Sequence, residues 1–217
     1  MTRVFWYVSD DKLRTIVERR GWLDRLKPTL ALGPPGVGVQ FEVEPRSQTS
    51  LQRMVEKAER KIARDGGATS MATAVAGPPP KLFTFNGAAG RLVDQGVFWV
   101  AGVHDESAFL LAGSVANAIG TSVRDEGRLS PTADPVGAIR ELFRTHGPLG
   151  LYRRAASYIW ETIVEATADS GGLDAAPRVA GVAVYAGRTP LESYAPRQES
   201  GTSLLLFIGS PLFVEQV

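Results

Sequence analysis

Three apolar runs follow one another within residues 81–114, and no other feature of the chain restricts its fold so strongly. "KLFTFNG" alternates apolar and polar side chains, "GVFWVAGVH" is almost continuously apolar, and "SAFLLAGS" follows across the link "HDES". Short runs rich in Val and aromatic residues are strands, and a polar link between two of them predicts a hairpin through His104–Ser107. The chain must therefore build a sheet with at least one antiparallel pair.

The flanking segments add strands and helices. Val4–Val8 is a buried strand, with Ser9 as a cap and Asp10 and Asp11 at the positive end of a helix that turns Leu13, Ile16 and Val17 inward. Val37, Val39, Phe41 and Val43 alternate with Gly38, Gln40, Glu42 and Glu44, a half-buried strand stopped by Pro45. Thr49 and Gln52 have capping-box spacing ahead of a helix striped by Leu51, Val55, Ala58 and Ile62 and closed by Gly66-Gly67. Two further helices are expected, from Asp134 to Gly147 and along Leu149–Ala166, followed by the strands "VAGVAVYAG" and "SLLLFIG". This mixture predicts an α+β protein, one domain over residues 1–217. Its mixed or mainly antiparallel sheet would carry about four helices packed mostly on one face.

Composition excludes several functions. The chain has no Cys, which removes disulfides, thiolate metal sites and a cysteine nucleophile. Only His104 and His146 are present, so no metal site and no cofactor are expected. Lys and Arg number 24 against 23 Asp and Glu, a net charge of +1, so neither nucleic acid nor a membrane surface is an expected partner. The apolar run near the N-terminus is too short for a signal or a membrane span, which predicts a cytoplasmic protein.

"GPPGVGVQ", Gly33–Gln40, carries the glycines of a phosphate loop but has Val39 and Gln40 where Lys and Ser or Thr should stand, and a strand follows it instead of a helix. It reads as a Gly/Pro loop between strands. The better ligand locus is "LLAGSVANAIG", where Gly113 and Ser114 open a short helical segment and Asn117 lies within one turn. Arg153 and Arg154 on the later helix are candidates for gripping a phosphate or carboxylate, against the plainer reading of a solvated face. No catalytic constellation is evident, because no nucleophile elbow exists and His104 beside Asp105 is too local to form a triad.

Three patches carry a family resemblance: "FWYVSDDKL" at 5–13, "FLLAGSVANAIG" at 109–120 and "LFIGSPLFVEQV" at 206–217. They resemble an uncharacterised actinobacterial domain family with an N-terminal (F/Y)-x-Y-V-S-D-x-K-(L/V) signature and a central G-S…G motif. The resemblance spans the whole sequence and implies recurring positions at Tyr7, Ser9, Asp10, Lys12, Gly113, Ser114, Gly120 and Pro211. It implies no activity. It does imply an accessory role in bacterial signalling or defence. Here Ala112 stands where the motif's first glycine would be. The expected function is thus a non-enzymatic module that senses a small ligand or binds a partner protein, with Ser9, Asp10, Lys12, Gly113, Ser114, Asn117, Arg153 and Arg154 as ligand-binding candidates. Two alternatives stay open. One is an enzyme acting on a nucleotide or phosphorylated molecule, with Asp105 or Glu106 as base or metal ligand; the other is a structural subunit, including of a homo-oligomer.

Overall fold

The computed structural model describes residues 3–18, 21–22, 47–94, 97–104, 107–119, 160–161, 163, 167, 175–191 and 204–217. In sequence order the elements are β1 (Val4–Val8), α1 (Asp10–Glu18), α2 (Gln48–Arg64), β2 (Thr69–Ser70), α3 (Met71–Ala76), β3 (Leu82–Asp94), β4 (Val97–His104), β5 (Ser107–Ser114), β6 (Arg178–Leu191) and β7 (Leu204–Gln216). Strands take up 52% of the described residues, so helices are additions to a β-structure.

The sheet closes on itself. β3 pairs with β4, β4 with β5, β5 with β7, β7 with β6, and β6 returns to β3. Only β5–β7 is parallel within this ring. β3 serves both halves, using Leu82–Ala88 against β6 and Ala88–Asp94 against β4. The ring order is that of the five-stranded OB-type barrel. β1 extends the sheet along the C-terminal half of β7, and β2 runs parallel to the start of β3.

The expected α+β sheet with about four helices on one face is therefore overturned by a closed five-stranded barrel with three α-helices among the described residues. Nor do helices share one face. Leu13 and Ile16 of α1 and Val55, Ala58 and Ile62 of α2 pack over Val182, Val184 and Leu212 on one outer wall. Trp160 and Ile163, both helical, cover Trp99, Ala101, Leu110 and Ile208 on another. α3 inserts Met71 and Ala74 into the barrel interior.

Strand alternation explains the interior. Phe83, Phe85, Phe98, Val100, Phe109, Leu111 and Phe207 point inward, while their neighbours Trp99, Ala101, Ala108, Leu110 and Leu206 point out. A five-stranded ring is too narrow for so many rings unless neighbouring strands give way. They do so at glycines. A Cβ at Gly209 would lie 2.7 Å from the Phe83 ring, one at Gly181 2.6 Å from Phe85, and one at Gly113 2.5 Å from Tyr7.

Several local expectations change. α2 starts at Gln48 with Ser47 as its cap, accepting from the Ser50 amide at 3.3 Å, so the cap lies two residues before Thr49. Its stripe and its Gly66-Gly67 ending hold, both glycines having positive φ. α3 falls within a segment expected to be extended; Ser70 caps it through the Thr73 amide, and Arg188 from β6 donates to the Ala74, Val75 and Gly77 carbonyls at its end. β7 continues through Pro211 instead of ending at Gly209. β5 leaves β7 at Gly209 and β1 joins at Phe213, and the pairing with β6 is irregular at Pro211, so the missing N–H costs no regular ladder bond. The strand at 37–43 and the helix at 134–147 lie outside the described residues.

Gly209→Ala should lower the unfolding free energy by about 1–3 kcal/mol, because its new methyl meets both the Phe83 ring and the Val184 carbonyl. Urea denaturation of the two proteins measures this, and an unchanged midpoint would contradict the packing account.

Candidate functional site

β1 and β5 are both neighbours of β7 and approach its middle from opposite directions. β1 is antiparallel and ends opposite Phe213; β5 is parallel and leaves at Gly209. Their C-terminal ends therefore face each other across Ser210–Leu212. Each end turns at once into a helix: β1 through Ser9 into α1, and β5 through Ser114 into the 3-10 turn Val115–Asn117. Ser9 is buried; its amide donates to the Leu212 carbonyl at 2.8 Å and its carbonyl accepts from the Leu13 amide at 3.0 Å. The segment after β5 folds back onto β1, the Ile119 amide donating to the Trp6 carbonyl at 2.8 Å.

Tyr7 fills the space between these ends. Its ring is 1% exposed, stacks on Phe98 with centroids 5.6 Å apart and lies over Gly113. The Asn117 side-chain amide donates to its hydroxyl at 3.3 Å, and the Ser9 side chain and Ser114 backbone also bond it. Burial raises the phenol's pKa, and these hydrogen bonds partly offset the rise.

Lys12, on the first turn of α1, reaches the other side of the junction. Its ammonium donates to Ser210 Oγ and, at 3.3 Å, to the Pro211 carbonyl. Both are neutral oxygens, and no carboxylate pairs with Lys12 among the described residues. Burial pushes the amine down to about 8.

Of the residues singled out in the sequence, Ser9, Lys12, Gly113, Ser114 and Asn117 thus come to one junction. Gly113 has a steric part there, making room for Tyr7, and Ser114 Oγ is turned to the Ala116 amide at 3.3 Å as a cap. Asp10 turns to Arg14 at 2.9 Å. Arg153, Arg154, Asp105, Glu106, His146 and the Gly33–Gln40 loop lie outside the described residues. Ser210 escaped sequence reasoning; the signal available was its place before Pro211 in an apolar strand. No cluster of His, Asp and Glu able to hold a metal occurs among the described residues.

A second concave feature lies between α1 and α2, a groove of about 540 Å³ bordered by Arg14, Val17, Glu18, Arg53, Met54 and Lys57. The outer face of β4 and β5, which OB-type barrels use for oligonucleotides, is covered here by Trp160 and Ile163.

A family model, "Family of unknown function (DUF7019)", matches residues 3–217. The chain belongs to this family. DUF7019 is an uncharacterised domain family, as the three motif patches implied. No curated protein and no solved structure matches the chain. Among the described residues, no helix is long and apolar enough to cross a membrane.

The Lys12 environment makes a pH prediction. Between about pH 8 and the ordinary lysine value of about 10.4, the unfolded chain binds a proton that the folded protein has released. Stability should rise with pH across this window, by at most about 3 kcal/mol, and carry the full penalty below it. Lys12→Met should abolish the rise in urea titrations; an identical pH profile in both proteins would refute the assignment.

Proposed function

We propose that this protein is a non-enzymatic sensing module for a small molecule bearing a carboxylate or phosphate, held at the junction of β1, β5 and β7. The observation that supports it is the half-buried Lys12 ammonium, which rests on neutral oxygens and lacks a counter-charge among the described residues. Removing a cation from water without an opposite charge is unfavourable, and a bound anion would supply that charge. The junction is also suited to reporting occupancy, since a ligand there touches the ends of two strands and the start of α1. A cytoplasmic location, an actinobacterial origin and a signalling or defence setting belong to this proposal and rest on the sequence patterns.

An enzymatic reading draws on the same contact, because a lysine amine on a serine hydroxyl is a nucleophile and base pair in some hydrolases. Ser210 is only 1% exposed, however, which keeps a substrate from its hydroxyl and favours binding. The covered β4–β5 face weighs against an oligonucleotide ligand.

The test is a thermal-shift panel of nucleotides, cyclic nucleotides, dinucleotides, inorganic phosphate and small carboxylates. A ligand at about 100 times its Kd adds roughly 2.7 kcal/mol, several degrees for a protein of this size. Lys12→Met should remove the response, and affinity should fall as pH rises through about 8. A hit that survives Lys12→Met would sink the proposed site. Labelling of Ser210 by a fluorophosphonate would move the conclusion to an enzyme.

A further inference from the structure

The groove between α1 and α2 has an electrostatic character that its parent helix does not share. α2 carries two interior acids, Glu56 and Glu59, and both are engaged away from the groove. Glu59 bonds Arg3 at 2.8 Å, and Glu56 accepts from Gln52 at 3.0 Å and faces Arg60 at 3.9 Å. Arg53 and Lys57, one turn apart on the flank that borders the groove, are exposed or half-buried and have no carboxylate partner among the described residues. Across the groove, Arg14 is held by Asp10, and Glu18 is the one carboxylate among the lining residues. The floor is apolar, formed by the half-buried Val17 and Met54.

We propose that this groove docks an acidic segment of a partner protein. Its walls are open and shallow, so a small molecule would keep much of its surface in water there, whereas ligand sites bury most of their occupant. An extended or helical segment would lay apolar side chains on Val17 and Met54 while its carboxylates met Arg53 and Lys57, an arrangement in which charge sets register and encounter rate. The Lys12 junction is on the opposite side of α1, so this interaction does not depend on the anion reading.

The probe is a fluorescein-labelled oligoglutamate peptide followed by anisotropy. Binding should weaken as salt shortens the screening length. The groove variant Arg53→Glu/Lys57→Glu should lose about tenfold in affinity. Arg60→Glu/Arg178→Glu makes the same change in net charge at exposed positions outside the groove and should leave binding intact. None of the four side chains is buried, so both variants should melt as the parent does. No binding by the parent, equal losses in the two variants, or tighter binding of a single-stranded oligonucleotide would each overturn the proposal.

Discussion

The narrowness of a five-stranded ring governs the rest of this structure. Such a barrel leaves room for a few side-chain layers, yet this one contains Phe83, Phe85, Phe98, Phe109 and Phe207. Contacts such as Phe85 to Phe109 at 5.0 Å and Phe83 to Phe207 at 5.7 Å are available only because Gly181 and Gly209 withdraw from the rings. Aromatic mass and backbone closeness are two sides of one arrangement. The interior among the described residues is a packed core, which is why the places for recognition lie outside it, where strands end and helices lean on the wall.

Arg3 links that wall to its helical cover. Its guanidinium bonds Glu59 of α2 and Glu215 of β7 together and lies over the Phe5 and Phe213 rings, at 5.3 and 5.5 Å. One side chain thus joins β1, β7 and α2 through both charge and dispersion. By drawing Glu59 inward it also leaves the opposite flank of α2 short of negative charge. The basic groove follows from how the fold was fastened.

Individual strands were legible from residue pattern because side-chain alternation is a local property. Val4–Val8 and the runs around Trp99 and Leu110 announce themselves in a few residues. Closure is not local. The pairing of β3 with β6 joins Phe85 to Gly181, nearly a hundred positions apart, and no periodicity in either segment specifies it. The inward glycines held the information, but a lone glycine in a strand reads equally as a bulge or a turn. α3 went unseen because Met71–Ala76 is barely longer than a turn and relies on Ser70 and Arg188 for its ends. At the junction, Ser9, Lys12, Ser114 and Asn117 could be picked from sequence as two separate patches. Their meeting across Ser210 could not, since it depends on β7 having different neighbours along its two halves. Arg53 and Lys57 gave no signal at all, because cations on a helix surface usually mark only a solvated face.

β7 pairs with β1, β5 and β6, and it leaves the ribosome after all of them. Until residues 204–216 emerge, β5 and β6 lack their shared neighbour and β1 has no strand to extend. Synthesis therefore produces a long intermediate with open sheet edges and uncovered aromatic rings, and the barrel forms in a late, concerted step. For this protein the hazardous interval is translation itself, and folding helpers that shield nascent strands would matter more to its yield than the stability of the finished fold.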